Sequence, residues 1–319
     1  MDGRPVLVCT EYEDATADLV IAELNRRRVP VLRFDPGRDF PAPVVLAARV
    51  GAGGWGGRLT VGERMADLSA VRALYHRRPS PYPMGSGEQA ARFAAQENRR
   101  GLGGVLGALP GCLYLSHPQA IARGEYKPAQ LSAALRAGLT VPATLITNDP
   151  MEAKAFCAAQ PTIYKPLHAG AYEVEGEPAG IWAAPVEAGE VDGAVSQSAH
   201  LFQAQVPKAA DVRAVVVGEQ VFSARITAPP GVVDWRAEYR SLTYEPVVCP
   251  EEIRGALVRY LAAFGLNFGA FDFAVTADGG WWFLECNPNG QWAWLEDAAG
   301  LPITTAIADL LENGASQHE

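Results

Sequence analysis

Short apolar runs separated by polar, Gly- and Pro-containing stretches mark the chain throughout, and their spacing predicts alternating strands and helices. Val6-Leu7-Val8-Cys9-Thr10 reads as a buried strand. Asp14 is placed to cap a helix running through Leu19, Ile21 and Leu24 to Arg28, and residues 29–35 give the next strand. This is a Rossmann-like β-α-β opening. Further strands are expected at 44–50 and 58–62 around a Gly-rich turn region at 51–57. Another is expected at 73–79, a helical stretch at 86–108 and a short strand at 113–115. Beyond Pro118 the pattern is helical to Gly138, a good terminating residue. Then come a strand at 143–147, a helix opened by Asn148-Asp149-Pro150 and a strand at 162–166. Residues 173–192 are acidic and weakly patterned, which suits surface. The remainder is strand-rich: 201–206, a hairpin of 212–217 and 220–226 around Gly218, a helix at 251–264, a hairpin of 268–276 and 280–287 around Asp278-Gly279, and a terminal helix at 302–312. The expected fold class is α/β in three units, 1–115, 116–200 and 201–319.

Composition narrows the class. Nowhere do 18 apolar residues run together, so a membrane span is not expected. The N-terminus lacks the long apolar core and cleavage site of a signal peptide. Five cysteines, odd in number and with no C-x-x-C pair, suggest neither a disulfide framework nor a zinc site; a cytoplasmic location is expected. The net charge of −9 argues against nucleic acid as a partner. That charge is uneven, at +3 over residues 1–115, −3 over 116–240 and −9 over 241–319, so the basic first third can meet an acidic partner. Only four of the 27 basic residues are lysines: Lys127, Lys154, Lys165 and Lys208. A compact ammonium and a planar guanidinium are not interchangeable at a phosphate, so these positions merit attention. No G-x-G-x-x-G follows the first strand, no P-loop is present and no Ser-His-Asp or Cys-His pattern stands out.

The second hairpin carries the clearest chemistry. With a two-residue turn at Asp278-Gly279, Asp272 lies directly opposite Glu285, and Asn287, two residues on, shares their face. Two facing carboxylates repel unless a positive group lies between them or one of them is protonated, and the apolar neighbours Phe271, Phe273 and Phe283 imply burial. Carboxylate and amide oxygens in this arrangement suit Mg²⁺. In the first hairpin, a two-residue loop at Gly218-Glu219 puts Arg213 and Arg225 on opposite faces, and one extra loop residue puts them on the same face; the sequence leaves both open. Together with Lys127 and Lys165, these groups describe a polyphosphate site.

The order Lys127, Lys165, strand 201–206, Arg213, Asp272 and Glu285-x-Asn287 resembles the ATP-grasp fold. More narrowly, the chain resembles the ATP-grasp ribosomal-peptide maturases, the graspetide synthetases of the microviridin type. The resemblance is carried by Tyr75-His76-Arg77-Arg78-Pro79, Lys127-Pro128-Ala129-Gln130-Leu131, Tyr164-Lys165-Pro166-Leu167, Asp234-Trp235-Arg236, Gly269-Ala270-Phe271-Asp272-Phe273 and Glu285-Cys286-Asn287-Pro288-Asn289-Gly290-Gln291-Trp292. The last stretch is the most specific.

The resemblance implies a Rossmann-like N-terminal domain, a central α+β subdomain and a C-terminal antiparallel ATP-grasp subdomain. It implies ATP and Mg²⁺ as cofactors and a precursor peptide, leader plus core, as partner to a homodimer. Lys127 and Lys165 would contact phosphates, Gln203, Gln205 and Val206 would form the adenine hinge, and Lys208 lies just beyond it. Arg213 and Arg225 would hold the γ-phosphate and the acyl phosphate, while Asp272, Glu285 and Asn287 would bind Mg²⁺. Asp234 and Arg236 would sit near the substrate carboxylate, with Arg77 and Arg78 as further substrate-binding candidates. The implied reaction activates Asp or Glu side chains as acyl phosphates and joins them to Ser, Thr or Lys side chains of the same peptide. Alternatives are another ATP-grasp ligase acting on amino acids or a protein C-terminus, a non-catalytic nucleotide-binding module and a phosphotransferase.

Overall fold

A computed structural model describes residues 3–83, 85, 87–168, 172–174, 176–229 and 231–314. In the first third, β1 (Val6–Cys9) leads through α1 (Ala15–Arg26) to β2 (Val31–Phe34) and a single helical turn, α2 (Pro36–Asp39). All four residues of β1 are buried, because it lies inside a parallel sheet. Asp14 caps α1 as expected, accepting from the backbone N–H groups of Thr16 and Ala17 at 3.1 and 3.2 Å. Next comes an antiparallel meander of β3 (Val44–Gly51), β4 (Gly54–Val61) and β5 (Arg64–Asp67). The expected broad glycine turn is only Ala52-Gly53, and Gly54, Gly56 and Gly57 belong to β4. Gly57 has φ +115°, and a Cβ there would lie 2.1 Å from the Ala47 carbonyl oxygen, so a glycine is required inside the strand. After β6 (Ala73–His76), α3 (Gln89–Leu106) and β7 (Leu113–Tyr114), the parallel sheet closes in the order β2-β1-β6-β7.

The expected single helix over 118–138 is two: α4 (Pro118–Gly124) and α5 (Lys127–Ala137). The break puts Lys127 at the first position of α5. There follow β8 (Thr144–Thr147), α6 (Pro150–Ala159) and β9 (Thr162–Lys165). The described residues between 172 and 192 form strands that the weak pattern did not suggest. They contain a hairpin, β10 (Tyr172–Val174) with β11 (Glu177–Ala179), and β12 (Ala184–Val186), which pairs with β9. With β13 (His200–Ala204) these strands form an antiparallel sheet ordered β12-β9-β13-β8.

The last part is a five-stranded antiparallel sheet, β16-β15-β14-β17-β18. Its elements are β14 (Lys208–Val217), β15 (Gln220–Thr227), β16 (Thr243–Pro246), α7 (Glu251–Phe264), β17 (Phe268–Thr276) and β18 (Trp281–Asn287), followed by α8 (Ala293–Ala299) and α9 (Ile303–Asn313). Neither β16 nor α8 was expected. The β14–β15 loop is the two-residue form, with Arg213 opposite Ala224 and Arg225 opposite Val212. At the second hairpin two departures cancel. Thr276 and Gly280 close a three-residue loop with Gly279 at φ +87°, so Phe273 faces Phe283. Leu284 then forms a bulge, and beyond it Asp272 faces Glu285 as the shorter turn had predicted.

One face of the large sheet, with Val212, Ala214, Val216, Phe271 and Phe273, packs on α7. The other, with Val215, Val217, Phe268 and Ala270, packs on α9 and on β1, α1 and β6. Among the described residues no helix is long and apolar enough to cross a membrane.

Candidate active site: facing carboxylates beneath a hinge

Where β13 leaves its sheet, residues 205–207 cross to the start of β14 and wall a cavity of about 270 Å³. Lys165, Gln203, Gln205, Val206, Lys208 and Leu284 line it. A second cavity follows, lined by Lys127, Lys165, Trp182, Arg236, Glu285 and Asn287. A third, lined by Arg78, Lys127, Arg213, Asn287, Gln291 and Trp294, continues beyond it. Arg236 borders all three, so they adjoin at one site.

The metal candidates stand at its centre. Asp272 and Glu285 are both buried and face each other across β17 and β18. Arg213 Nη1 donates to Asp272 Oδ2 at 2.6 Å, and Asn287 Nδ2 reaches the same oxygen at 3.4 Å. Glu285 receives Lys127 Nζ at 2.5 Å and Arg236 Nη1 at 3.2 Å. Burial pushes the Asp272 carboxyl up from its ordinary range; Arg213 opposes this and the Glu285 charge adds to it. Burial acts on Glu285 too, but Lys127, Arg236 and Lys165 outweigh it and hold that carboxyl below the usual range. The Lys165 ammonium is pushed down to about 8, by burial first, with Lys127 and Arg236 adding repulsion against the attraction of Glu285.

Asp272 Oδ1 is buried and has no hydrogen-bond partner. A buried carboxylate oxygen left without a donor fits a hard cation. Mg²⁺ accepts the donor set of two carboxylates and an amide, and among the described residues no cluster of three His, Cys, Asp or Glu side chains competes.

No family model matches the chain, and no curated protein does. Solved structures do. A RiPP-associated ATP-grasp ligase of Chryseobacterium gregarium, in complex with ADP and a leader and core peptide, has a TM-score of 0.86 at 24% identity over 97% of each chain. The macrocyclase MdnC of Microcystis aeruginosa MRC, bound with precursor peptide MdnA, is 30% identical over 97% of this chain and 99% of its own, with a TM-score of 0.81. The chain belongs to the RiPP-associated ATP-grasp macrocyclases. Its fold is also that of the ATP-grasp ligase PsnB, complexed with a phosphomimetic variant of minimal precursor, Mg and ADP (TM-score 0.77, 24% identity, 99% and 100% coverage).

In this macrocyclase most of the sequence-derived residues line the three cavities, and two do not. Arg225 is exposed on the sheet face opposite Arg213, because the two-residue loop fixes that register. It lines none of the three cavities, so the structure does not bring it together with Arg213. Arg77, at 1% exposure, offers no surface to a substrate. Its Nη1 donates to the Asn289 carbonyl at 2.5 Å and its Nη2 to Gln291 Oε1 at 2.6 Å, while Nε lies 3.8 Å from Asp14 Oδ2. Arg78, exposed, lines the third cavity. Lys208 is engaged by Asp211 at 2.6 Å and the Val233 carbonyl at 2.7 Å, which ties the hinge to the segment carrying Asp234. Asp234 caps the 3₁₀ turn Trp235–Ser241 and grips Arg236 through both oxygens, at 2.9 and 2.8 Å, aiming it at Glu285.

Two residues of the macrocyclase site were not singled out from sequence. The Gln291 carbonyl accepts from Arg213 Nη2 at 3.2 Å, while its side-chain oxygen accepts from Thr16 Oγ1 at 2.8 Å and from Arg77. Trp182 lies under the Arg236 guanidinium, 5.7 Å from ring to carbon. Gln291 sits in the most specific motif, which was the available signal. Trp182 sits in the segment whose weak pattern hid its strands.

Proposed function

We propose that this macrocyclase uses ATP and Mg²⁺ to convert Asp or Glu side chains of a ribosomal precursor peptide into acyl phosphates. Ser or Thr hydroxyls, or Lys amines, of the same peptide then displace phosphate, closing ω-ester or ω-amide rings. One observation carries this reading: three cations, Lys127, Arg213 and Arg236, converge on the facing carboxylates of Asp272 and Glu285, which line the cavity at the hinge and the one adjoining it. The hinge backbone at Gln203, Gln205 and Val206 takes the adenine edge, and Lys127 and Lys165 take the phosphates. Mg²⁺, held by Asp272, Glu285 and Asn287, neutralises polyphosphate charge when bound. Arg213 and Arg236 stabilise the charge that develops on the transferred phosphoryl group and the acyl phosphate. Arg78 faces the third cavity and meets acidic groups of the precursor. The reading includes a homodimer, as the family resemblance implies, and a cytoplasmic location, as the cysteine usage suggests.

The test is incubation with ATP, Mg²⁺ and a Ser/Thr- and Asp/Glu-rich precursor. Mass spectrometry should show loss of one water per ring with ADP release, and EDTA should stop both. Asp272→Asn should cost about 100-fold or more in turnover while the protein stays folded. An unchanged precursor, with ADP formed only when free amino acids are added, overturns the reading in favour of an amino-acid ligase.

A further inference from the structure

β18 is an edge strand, with β17 on one side and, among the described residues, only an isolated bridge from Thr140 to Trp282 on the other. An edge leaves backbone N–H and C=O groups unpaired. At Cys286, between Glu285 and Asn287, both groups are satisfied by one side chain. Gln130 Nε2 donates to the Cys286 carbonyl at 2.8 Å, and the Cys286 N–H donates to Gln130 Oε1 at 3.1 Å. The remaining amide hydrogen goes to the Gly124 carbonyl at the end of α4, at 2.7 Å. A side-chain amide offers two donor hydrogens and a carbonyl acceptor at one tip; a hydroxyl has a single donor hydrogen and a carboxylate has none. Gln130 is 4% exposed, so water does not substitute for it. Three residues earlier on the same face of α5, Lys127 holds the Glu285 carboxylate. One helix thus grips two consecutive residues of the strand, Glu285 by its side chain and Cys286 by its backbone.

The grip matters because of the bulge at Leu284. Pairing on the turn side ends with Phe273 opposite Phe283, whose N–H donates to the Thr140 carbonyl at 2.8 Å. Beyond the bulge the register is shifted by one residue. Sliding the bulge past Glu285 would turn that side chain to the other face, away from Asp272. We infer that Gln130 is a positioning residue that pins β18 on the far side of the bulge, so that Glu285 and Asn287 present their oxygens beside Asp272. This inference rests on the reading of Asp272, Glu285 and Asn287 as metal ligands.

The experiment measures Mn²⁺ binding to the full-length protein with ADP, by the electron paramagnetic resonance signal of free Mn²⁺. Gln130→Met keeps length and removes the amide; it should weaken Mn²⁺ binding about 10–100-fold. Leu257→Ala, a cavity in the fully buried core of α7, should lower the melting temperature without changing Mn²⁺ affinity. Asp272→Asn serves as the ligand control. If Asp272→Asn loses Mn²⁺ and Gln130→Met binds it like wild type, the inference is overturned and the metal reading stands. If Asp272→Asn also binds like wild type, the metal reading falls and takes the inference with it. Should Gln130→Met not fold, amide exchange of the wild type decides. Protection of the Cys286 N–H comparable to interior β17 amides supports the grip, and exchange at the rate of an open edge overturns it.

Discussion

Adjacent arginines at the end of β6 face opposite ways, and their surroundings assign them different work. Arg77 turns inward and joins the first sheet to the Pro288-Asn289-Gly290-Gln291 loop, whose Gln291 carbonyl in turn holds Arg213. Arg78 turns out into the third cavity. Arg77→Met should therefore destabilise the fold by roughly 3–5 kcal/mol, since it strips a guanidinium from the buried Asp14 and from the half-buried acceptors of Asn289 and Gln291. Arg78→Ala should leave stability within about 0.5 kcal/mol and raise the precursor KM at low salt. Urea unfolding and steady-state kinetics on both variants check this. Equal stability loss in the two variants would contradict the assignment. Sequence alone could not separate them, because strand alternation says only that neighbours point oppositely, not which one points inward. Arg225 was unreadable for the same reason until the register of its hairpin was known.

Elements were legible wherever a local signal decided them. Asp14 and Asp149 cap their helices, and Gly138 and Gly265 end theirs in the left-handed region. What local signals could not give was irregularity that depends on packing. Glu285 was placed opposite Asp272 through a two-residue turn, whereas the structure reaches the same pairing with one extra loop residue and the Leu284 bulge. Likewise β12 exists because β9 offers it an edge, and its own residues carry little pattern. The loop after β18 shows how tightly these elements meet. A Cβ on Gly290 would lie 2.7 Å from Ala270 Cβ, 2.8 Å from Arg213 Nη2 and 3.0 Å from Asn287 Cβ. Gly290→Ala is therefore expected to displace Arg213 or Asn287 and reduce turnover about 100-fold, with an overpacking cost of roughly 1–3 kcal/mol. Gly53→Ala, where a Cβ meets nothing within 4 Å, is the control and should change neither. Turnover in Gly290→Ala matching Gly53→Ala would show that the loop yields without disturbing the site.

Across the whole molecule, the uneven charge acquires a partial explanation. Some arginines of the basic first third are engaged by the chain's own acidic last third. Arg27 Nη1 bonds Asp309 at 2.5 Å and Glu312 at 2.9 Å, and Arg72 Nη1 donates to the Glu312 carbonyl at 2.5 Å. These contacts lie beside an apolar cluster in which Val6, Val8, Val20 and Leu24 pack with Ile303, Ile307 and Leu311. Although the pattern along the chain suggested a unit ending at 115, this cluster runs across that boundary. The magnitudes make it decisive. Burying each Ile or Leu side chain contributes about 1.5–3 kcal/mol, so those three in α9 supply roughly 5–9 kcal/mol. A domain's entire stability is only about 5–15 kcal/mol. Truncation after Gly300 is therefore expected to abolish cooperative unfolding of the β1 sheet and the large sheet together, seen as loss of the thermal transition in near-ultraviolet circular dichroism. Persistence of a sharp transition from either sheet would mean that the two halves fold independently. The site needs them joined, because the N-terminal Arg77 sets the loop that holds Arg213 over Asp272.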